Sequence, residues 1–526
     1  MGKRIIVDPI TRIEGHLRIE VEVENGKIKD AWSSGQMFRG IEMMLKGRDP
    51  RDAQHFVQRS CGVCTYIHAL SSVRAVEDAC GIEIPENAQI VRNLLHGAQY
   101  QHDHIVHFYH LHALDWVDIV SALSADPAKT SKLSENLSGR PQSAEYFKEI
   151  KSRLTTFVNS GQLGPFNNGY WGHPAYKLPA EANLMAASHY LEAIKLQAKA
   201  ARMHAIFGGK NPHPQSLVVG GITSVRDLTP DRIDEFVQIW KETNAFVDEV
   251  YIPDILAVAS FYKDWGEIGG NNETYLAYGD FPEKGTDDDL FLPGGVLMGN
   301  LDPKPVDTAR ITEDVTRAWY EQGDVSHPYD GETRPIQGET DYNTDAKYSW
   351  MKAPRYDGKP AEVGPLSRVL VAYAGGHKGI KPLVAHVLKK LDLEPGALYS
   401  TLGRTAARGI ETAAVGHAME GWIERLKSNI ASGNKATYQS WTMPDKGRGF
   451  GLNDVPRGAL GHWIEIEDKK IKNYQYVVPS TWNLGPRDEK GRKGRVEKSL
   501  IGTPSADPKQ PLGVLRTVHS YDPCIS

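Results

Sequence analysis

Cysteine is scarce in this chain, four residues in 526, which is too few for a disulfide framework, and two of the four share one Cys-x-x-Cys. No stretch approaches the ~20 consecutive apolar residues that a membrane-spanning helix needs, and the first residues lack the apolar core of a signal peptide. The chain is therefore expected to be soluble by itself, with no membrane span or export signal of its own. A formal charge of −5 offers no basic face for nucleic acid. A ferredoxin-like cysteine run is missing as well. Length alone would favour three or four domains. Yet no repeat, low-complexity block or linker divides the sequence, and its 50 glycines and 31 prolines are spread throughout. One continuous unit over 1–526 is expected, with an N-terminal β-hairpin region 1–35, a helical core 85–430 and a C-terminal β and loop region 440–526.

The segment Leu17-Arg18-Ile19-Glu20-Val21-Glu22-Val23 alternates apolar and polar residues and runs into Glu24-Asn25-Gly26-Lys27, the pattern of a β-hairpin. A second hairpin is expected where Trp463 to Ile466 and Tyr474 to Val478 flank Asp468-Lys469-Lys470. Four segments have helical period and length: Asn87 to Leu123, Pro179 to Phe207, Pro230 to Tyr262 and Arg404 to Ile430. Pro179 and Pro230 suit helix starts, while Gly208-Gly209 and Gly433 suit stops. Each segment far exceeds the ~11-residue mean helix, so lateral packing is required. The fold class that follows is α+β and mainly helical, a bundle of long antiparallel helices with small peripheral β-sheets. The polar stretch from Asp324 to Tyr356 reads as a surface excursion, the run Asp287 to Asp289 as a solvated loop, and Cys80 as a buried thiol at a helix end.

What is present is concentrated at the two ends. Arg59-Ser60-Cys61-Gly62-Val63-Cys64 is followed by His68, and Asp522-Pro523-Cys524 lies close to Ser526. Such distant thiols cannot form a local finger, so the fold must return the chain's end to its beginning. Converging thiolates suit nickel, iron or zinc, and spacing alone does not choose among them. A thioredoxin-like dithiol is the other reading of Cys61 and Cys64, but the βαβ surroundings it normally has are absent. His104, His107 and His110 recur every third residue and read either as a helical zinc face or as hydrogen-bonded core histidines.

These two cysteine motifs resemble the signatures of the large subunit of nickel-iron hydrogenases. Further matches occur in order at Asp8-Pro9-Ile10-Thr11-Arg12-Ile13-Glu14-Gly15-His16, Arg48-Asp49-Pro50-Arg51-Asp52, Pro456-Arg457-Gly458 and Val478-Pro479-Ser480-Thr481-Trp482-Asn483. The overall pattern looks most like respiratory uptake enzymes. The resemblance implies reversible hydrogen oxidation at a nickel-iron centre whose iron carries carbon monoxide and cyanide. Cys61 and Cys524 would be terminal nickel thiolates, with Cys64 and a further cysteine beyond Ser526 bridging to iron. Glu14 would relay protons beside Cys524. Arg457, after Pro456, would overhang the metals with Asp103 and Asp522. His68 would donate to a cysteine sulfur, and Pro479 and Ser480 would accommodate a cyanide. Glu42, the carbonyl of Tyr476 and a histidine beyond the chain's last cysteine would hold magnesium or iron at a second site.

The same resemblance implies an iron-sulfur small subunit docked near Arg59 to Cys64, a membrane or soluble cytochrome as electron acceptor, a maturation protease, and a periplasmic location reached with the partner. Two other functions compete. One is a non-catalytic quinone-module relative of the respiratory complex I type, against which the retained cysteines argue. The other is a structural zinc-thiolate protein built on Cys61, Cys64, Cys524 and perhaps His68.

Overall fold

The computed structural model describes residues 3–167, 169–270, 273–283, 289–321, 325–505 and 507–525. Its centre is built from helices α1 (Ile67–Cys80), α2 (Glu86–Val106), α3 (Ala180–Gly208), α4 (Pro230–Phe246), α5 (Ile252–Phe261) and α6 (Thr401–Ala431). Their starts are written locally. Thr229 accepts a hydrogen bond from the Arg232 amide with Pro230 in the first turn, and Ser400 accepts from the Gly403 amide. Helix α3 stops at Gly209, whose φ of 81° lies in the left-handed region that glycine enters without strain. The faces of these helices bury one large apolar cluster that includes Leu94, Tyr100, Met203, Trp240 and Trp422.

Two of the expected helices are interrupted. The segment beginning at Asn87 ends as α-helix at Val106 and continues through a π turn, His107–His112, and a 3₁₀ turn, Ala113–Asp115. The segment beginning at Pro230 passes through a π turn at Val247–Tyr251 before α5. There Pro253 lacks the amide that an α-helix would donate to residue 249, so the ladder widens before it.

The N-terminal residues form a three-stranded antiparallel sheet, β1 (Lys3–Val7), β2 (Leu17–Glu24) and β3 (Lys27–Gly35). Asn25 and Gly26, both at positive φ, make the tight turn between β2 and β3. Leu17, Ile19 and Val21 face a second cluster shared with helix α7 (Leu512–His519), which brings the C-terminal segment onto the N-terminal sheet. The later hairpin is part of another three-stranded sheet, β4 (Lys446–Val455), β5 (Gly458–Glu467) and β6 (Lys470–Val477).

Strand β4 is unannounced in the sequence because every second residue from 447 to 451, the side facing α1, is glycine. A Cβ on Gly447, Gly449 or Gly451 would meet the backbone of α1 at 2.6, 2.2 and 2.1 Å respectively. The helix that follows Cys64 therefore lies directly on the strand that leads to Arg457.

The 324–356 stretch is less superficial than its polarity implied. Tyr348 and Ser349 are buried, and Ala353–Tyr356 pairs with Ile311–Asp314, because the many polar groups are satisfied by strand pairing and turns. Asp324, Asp287 and Asp288 lie outside the described residues. Cys80 does end α1, but it is half-buried; burial nonetheless pushes its thiol up to about 11. No helix among the described residues is long and apolar enough to cross a membrane.

Candidate metal centre

Cys61 follows the short turn Gln58–Ser60 in extended conformation, and the Cys64 amide donates to its sulfur at 3.2 Å. The Cys524 sulfur lies 3.0 Å from that of Cys61 and 3.8 Å from that of Cys64. All three are buried in a small apolar cluster with Ile67, Val455 and Leu460. Cys524 is held from two sides. Its amide donates to Ser480 Oγ at 3.0 Å, just inside the helix that Pro479 opens. Its neighbours pair with Glu14, whose amide donates to the Pro523 carbonyl at 3.3 Å and whose carbonyl accepts from Ile525 at 3.1 Å.

Three thiols this close cannot ionise independently. Burial pushes the Cys61 thiol up, but hydrogen bonds from Cys524 and Cys64 and the nearby Arg457 charge outweigh it and hold Cys61 well below the usual range. Cys524 is pushed well up by donating to Cys61 and Cys64, and Cys64 is pushed up chiefly by burial. A cation at this point would stabilise all three as thiolates. Soft sulfur donors converging in a buried apolar cluster fit the nickel-iron group. So do two buried polar atoms beside it, Arg457 Nε and Asp522 Oδ2, which have no protein partner.

Arg457 stands in the turn between β4 and β5. Its Nη1 donates to Asp103 Oδ2 at 3.0 Å and its Nη2 to Asp522 Oδ1 at 3.1 Å. Burial opposes the guanidinium charge, yet Asp522, Cys524 and Asp103 together raise Arg457 well above its ordinary value. Asp522 moves up because burial outweighs Arg457 and Arg408. Asp103 also accepts from Gln99 at 2.5 Å. Arg368 supports the turn from beneath, donating to the carbonyls of Val455 and Pro456 at 2.8 and 2.9 Å while paired with Glu411 and Asp454.

The Glu14 carboxylate reaches to 3.6 Å from the Cys524 sulfur. Arg12 does not pair with it, because its guanidinium is directed to Asp115. His68 is also placed differently from expectation. Its Nδ1 lies 3.2 Å from Nε2 of His462, whose own Nδ1 meets the Tyr474 hydroxyl at 2.7 Å, so the histidine's hydrogen bond goes into β5 and not to a cysteine sulfur. Burial lowers His68 to about 4, which keeps it neutral.

Glu42 lies in the same cleft as Cys61 and Cys524. It accepts from the Tyr476 amide at 3.1 Å and from Thr333, so the contact seen with Tyr476 is through N–H. Nearby, Lys352 Nζ donates to Glu313 and Gln475, both at 3.0 Å. The histidine row separates in space. His104 meets Glu411 at 2.7 Å, His107 donates to the His519 carbonyl at 2.6 Å, and His110 packs edge-on against Tyr190. They share no ligand position. Gln99, Arg368, Glu313, Lys352 and His462 carry no motif that would have marked them in the sequence.

The nickel-dependent hydrogenase family pattern matches residues 39–526, and a HoxL-like pattern matches residues 4–33. The uptake hydrogenase large subunit of Rhizobium leguminosarum bv. viciae is 51% identical, covering 100% of this chain and 94% of that relative. The hydrogenase-1 large chain of Escherichia coli K12 is 45% identical over the same shares. Among solved structures, the reduced Ni-Fe-Se hydrogenase of D. vulgaris Hildenborough aligns with a TM-score of 0.83 at 34% identity, covering 100% of this chain and 99% of that one. The chain belongs to the large-subunit family of the nickel-dependent hydrogenases.

Proposed function

We propose that this hydrogenase large subunit catalyses the reversible heterolytic cleavage of molecular hydrogen into two protons and two electrons. The observation that carries this reading is the buried sulfurs of Cys61 and Cys64 within 4 Å of that of Cys524, close to the Arg457 charge and beside the Glu14 carboxylate. Cys61, Cys64 and Cys524 would hold a nickel-iron centre bearing carbon monoxide and cyanide ligands, which supplies the hydrogen-splitting chemistry when bound.

The remaining work falls to the protein's own groups. Glu14 receives a proton at the Cys524 sulfur and passes it outward as a general base. Arg457 fixes a positive charge above the sulfurs, and Asp103 and Asp522 hold its plane so that no reorganisation is needed during reaction. Ser480 accepts the Cys524 amide from the helix that Pro479 opens, and these two residues would accommodate a cyanide of the centre. Pro456 sets the turn that presents Arg457. His68 supports the loop of Cys64 from behind. Glu42, with the Tyr476 backbone, is the candidate for a magnesium or iron ion at a second site.

Electrons leave through an iron-sulfur small subunit docked by Arg59 to Cys64. The exposed Met37, Met43 and Met44, flanked by Arg39 and Arg59, support an apolar interface there. A membrane or soluble cytochrome accepts the electrons, and a protease completes maturation. The assembly works in the periplasm, and residues 1–526 act as one catalytic unit.

The test is an infrared spectrum of the purified enzyme where metal-bound carbon monoxide and cyanide absorb and protein does not. One carbonyl and two cyanide bands, with nickel present, support the reading. Zinc in place of nickel and no such bands would leave the cysteines as a structural staple.

A further inference from the structure

His112, Asp115 and His519 converge, fully buried, as another cluster of metal-ligand composition among the described residues. Their hydrogen bonds give them a different task. Asp115 Oδ1 accepts from Arg12 Nη2 at 2.5 Å, and its Oδ2 lies 2.6 Å from His519 Nδ1 and 3.2 Å from His112 Nδ1. His519 Nε2 lies 2.8 Å from the carbonyl oxygen of Thr11. Both ring nitrogens of His519 thus face oxygens that can only accept, so each must donate and neither keeps a lone pair for a metal. His112 Nε2 receives the Trp116 indole N–H at 3.1 Å, which leaves its Nδ1 to donate to Asp115. The cluster is an ion-pair clamp.

We propose that Asp115 is the positioning residue that fixes Glu14 against Cys524. One of its oxygens holds the segment that carries Glu14. Arg12 stands in the left-handed region at φ 57°, and its guanidinium reaches both Asp115 and the Leu111 carbonyl, the latter at 2.5 Å. Glu14 follows two residues later. The other oxygen holds the segment that carries Cys524, because His519 ends α7 five residues before that sulfur. His519 also ties back to the Thr11 carbonyl, closing the triangle between the two segments.

The two chain ends are therefore pinned to a single carboxylate on the turn after α2. Near the sulfurs they meet through the short bridge of Glu14 with Pro523 and Ile525, and farther out through the apolar cluster that Ile10 and Leu17 share with Leu515 and Val518. The pair Arg12–Asp115 is 7% and 0% exposed, so water does not screen it as it would a surface pair. Proton transfer between Cys524 and Glu14 is sensitive to shifts of about 1 Å, so the anchoring of both segments bears directly on it. The functional consequence rests on Glu14 acting as the proton acceptor, as proposed above.

The test uses the complete enzyme with its small subunit. The carboxyl stretch of Glu14 is assigned in infrared difference spectra by its loss in Glu14→Gln. In Asp115→Asn that band should shift, and hydrogen–deuterium exchange should slow tenfold or more with nickel content unchanged. Placed in the Glu14→Gln background, Asp115→Asn should slow exchange no further. An unshifted Glu14 band overturns the proposal, and so does equal slowing in both backgrounds. If Glu14→Gln itself retains full exchange, the relay reading fails, while a shifted band in Asp115→Asn still upholds the positioning. Should Asp115→Asn not assemble, His519→Gln, which releases one arm of the clamp, carries the same comparison, and an unshifted band there overturns it.

Discussion

Arg404 grips Glu362 through two parallel hydrogen bonds, Nε at 2.8 Å and Nη2 at 2.9 Å, in full burial. Glu362 also accepts from Arg495 and from the Tyr521 hydroxyl, both at 3.2 Å. The Arg404 guanidinium lies 3.9 Å from the Tyr521 ring centroid. One carboxylate thereby ties α6, the helix Arg495–Leu500 and the residue preceding Asp522 into one block.

Burial pushes the Glu362 carboxyl up, but Arg404 and then Arg495 outweigh it and lower its pKa in the folded state. Its contribution to stability is therefore complete above the unfolded glutamate value of about 4.3 and is lost as pH falls through the lower folded value. Glu362→Gln leaves two buried guanidiniums short of a counter-charge, a loss of about 3–5 kcal/mol. Urea unfolding midpoints should show a large deficit for Glu362→Gln at pH 7. The gap to the parent should narrow as pH falls below about 4. A constant gap across that range would exclude Glu362 as the titrating group.

Two glycine substitutions should move stability in opposite directions. Gly449→Ala drives a methyl into the α1 backbone, with its Cβ 2.2 Å from the Ala79 nitrogen, so β4 and α1 must separate. A loss of about 1–3 kcal/mol follows, seen as a lower thermal midpoint and as weaker retention of nickel. Gly421→Ala, on the exposed side of α6 with nothing within 4 Å of the new carbon, should gain up to about 1 kcal/mol. Equal effects at both sites would refute the close-approach account of β4.

The long helices were legible because apolar period is joined by a proline start in α3 and α4 and by a glycine at or just past the end in α3 and α6. The β2–β3 hairpin was legible because Asn25-Gly26 punctuates strict alternation. Strand β4 was hidden, since its glycines satisfy a helix backbone and carry no hydrophobic pattern. The π turns at His107–His112 and Val247–Tyr251 were hidden because they depend on hydrogen bonds made elsewhere and on one missing amide. The cysteines, Arg457 and Glu14 were readable from motifs. Arg368, Glu362 and Asp115 were not, because each acts through partners tens to hundreds of residues away, and a single sequence contains no trace of such distances.

Glu14→Gln should keep the hydrogen-bonding shape beside Cys524 while removing the group proposed to take a proton. Hydrogen–deuterium exchange should fall by about 10²- to 10⁴-fold, the range of a lost general base. Nickel and iron content should equal those of the parent, since the carboxylate oxygen lies 3.6 Å from a sulfur that Ser480 and the Pro523 backbone continue to hold. Full exchange in this variant would remove Glu14 from the proton path.

Arg457→Lys tests whether charge alone is enough above the sulfurs. The guanidinium spans Asp103 and Asp522 at 3.0 and 3.1 Å with two separate nitrogens, whereas an ammonium is a point charge on a flexible stem that cannot reproduce that fork. Either carboxylate left without its donor is fully buried, and Asp522 is already pushed toward protonation by its burial. Turnover should drop about 10²- to 10³-fold, the cost of losing one preorganised donor at a reacting centre. Cyanide and carbonyl bands should persist, slightly displaced, because the cysteines are untouched. Loss of those bands would make Arg457 an assembly residue, and unchanged turnover would show that its planar fork takes no part in the reaction.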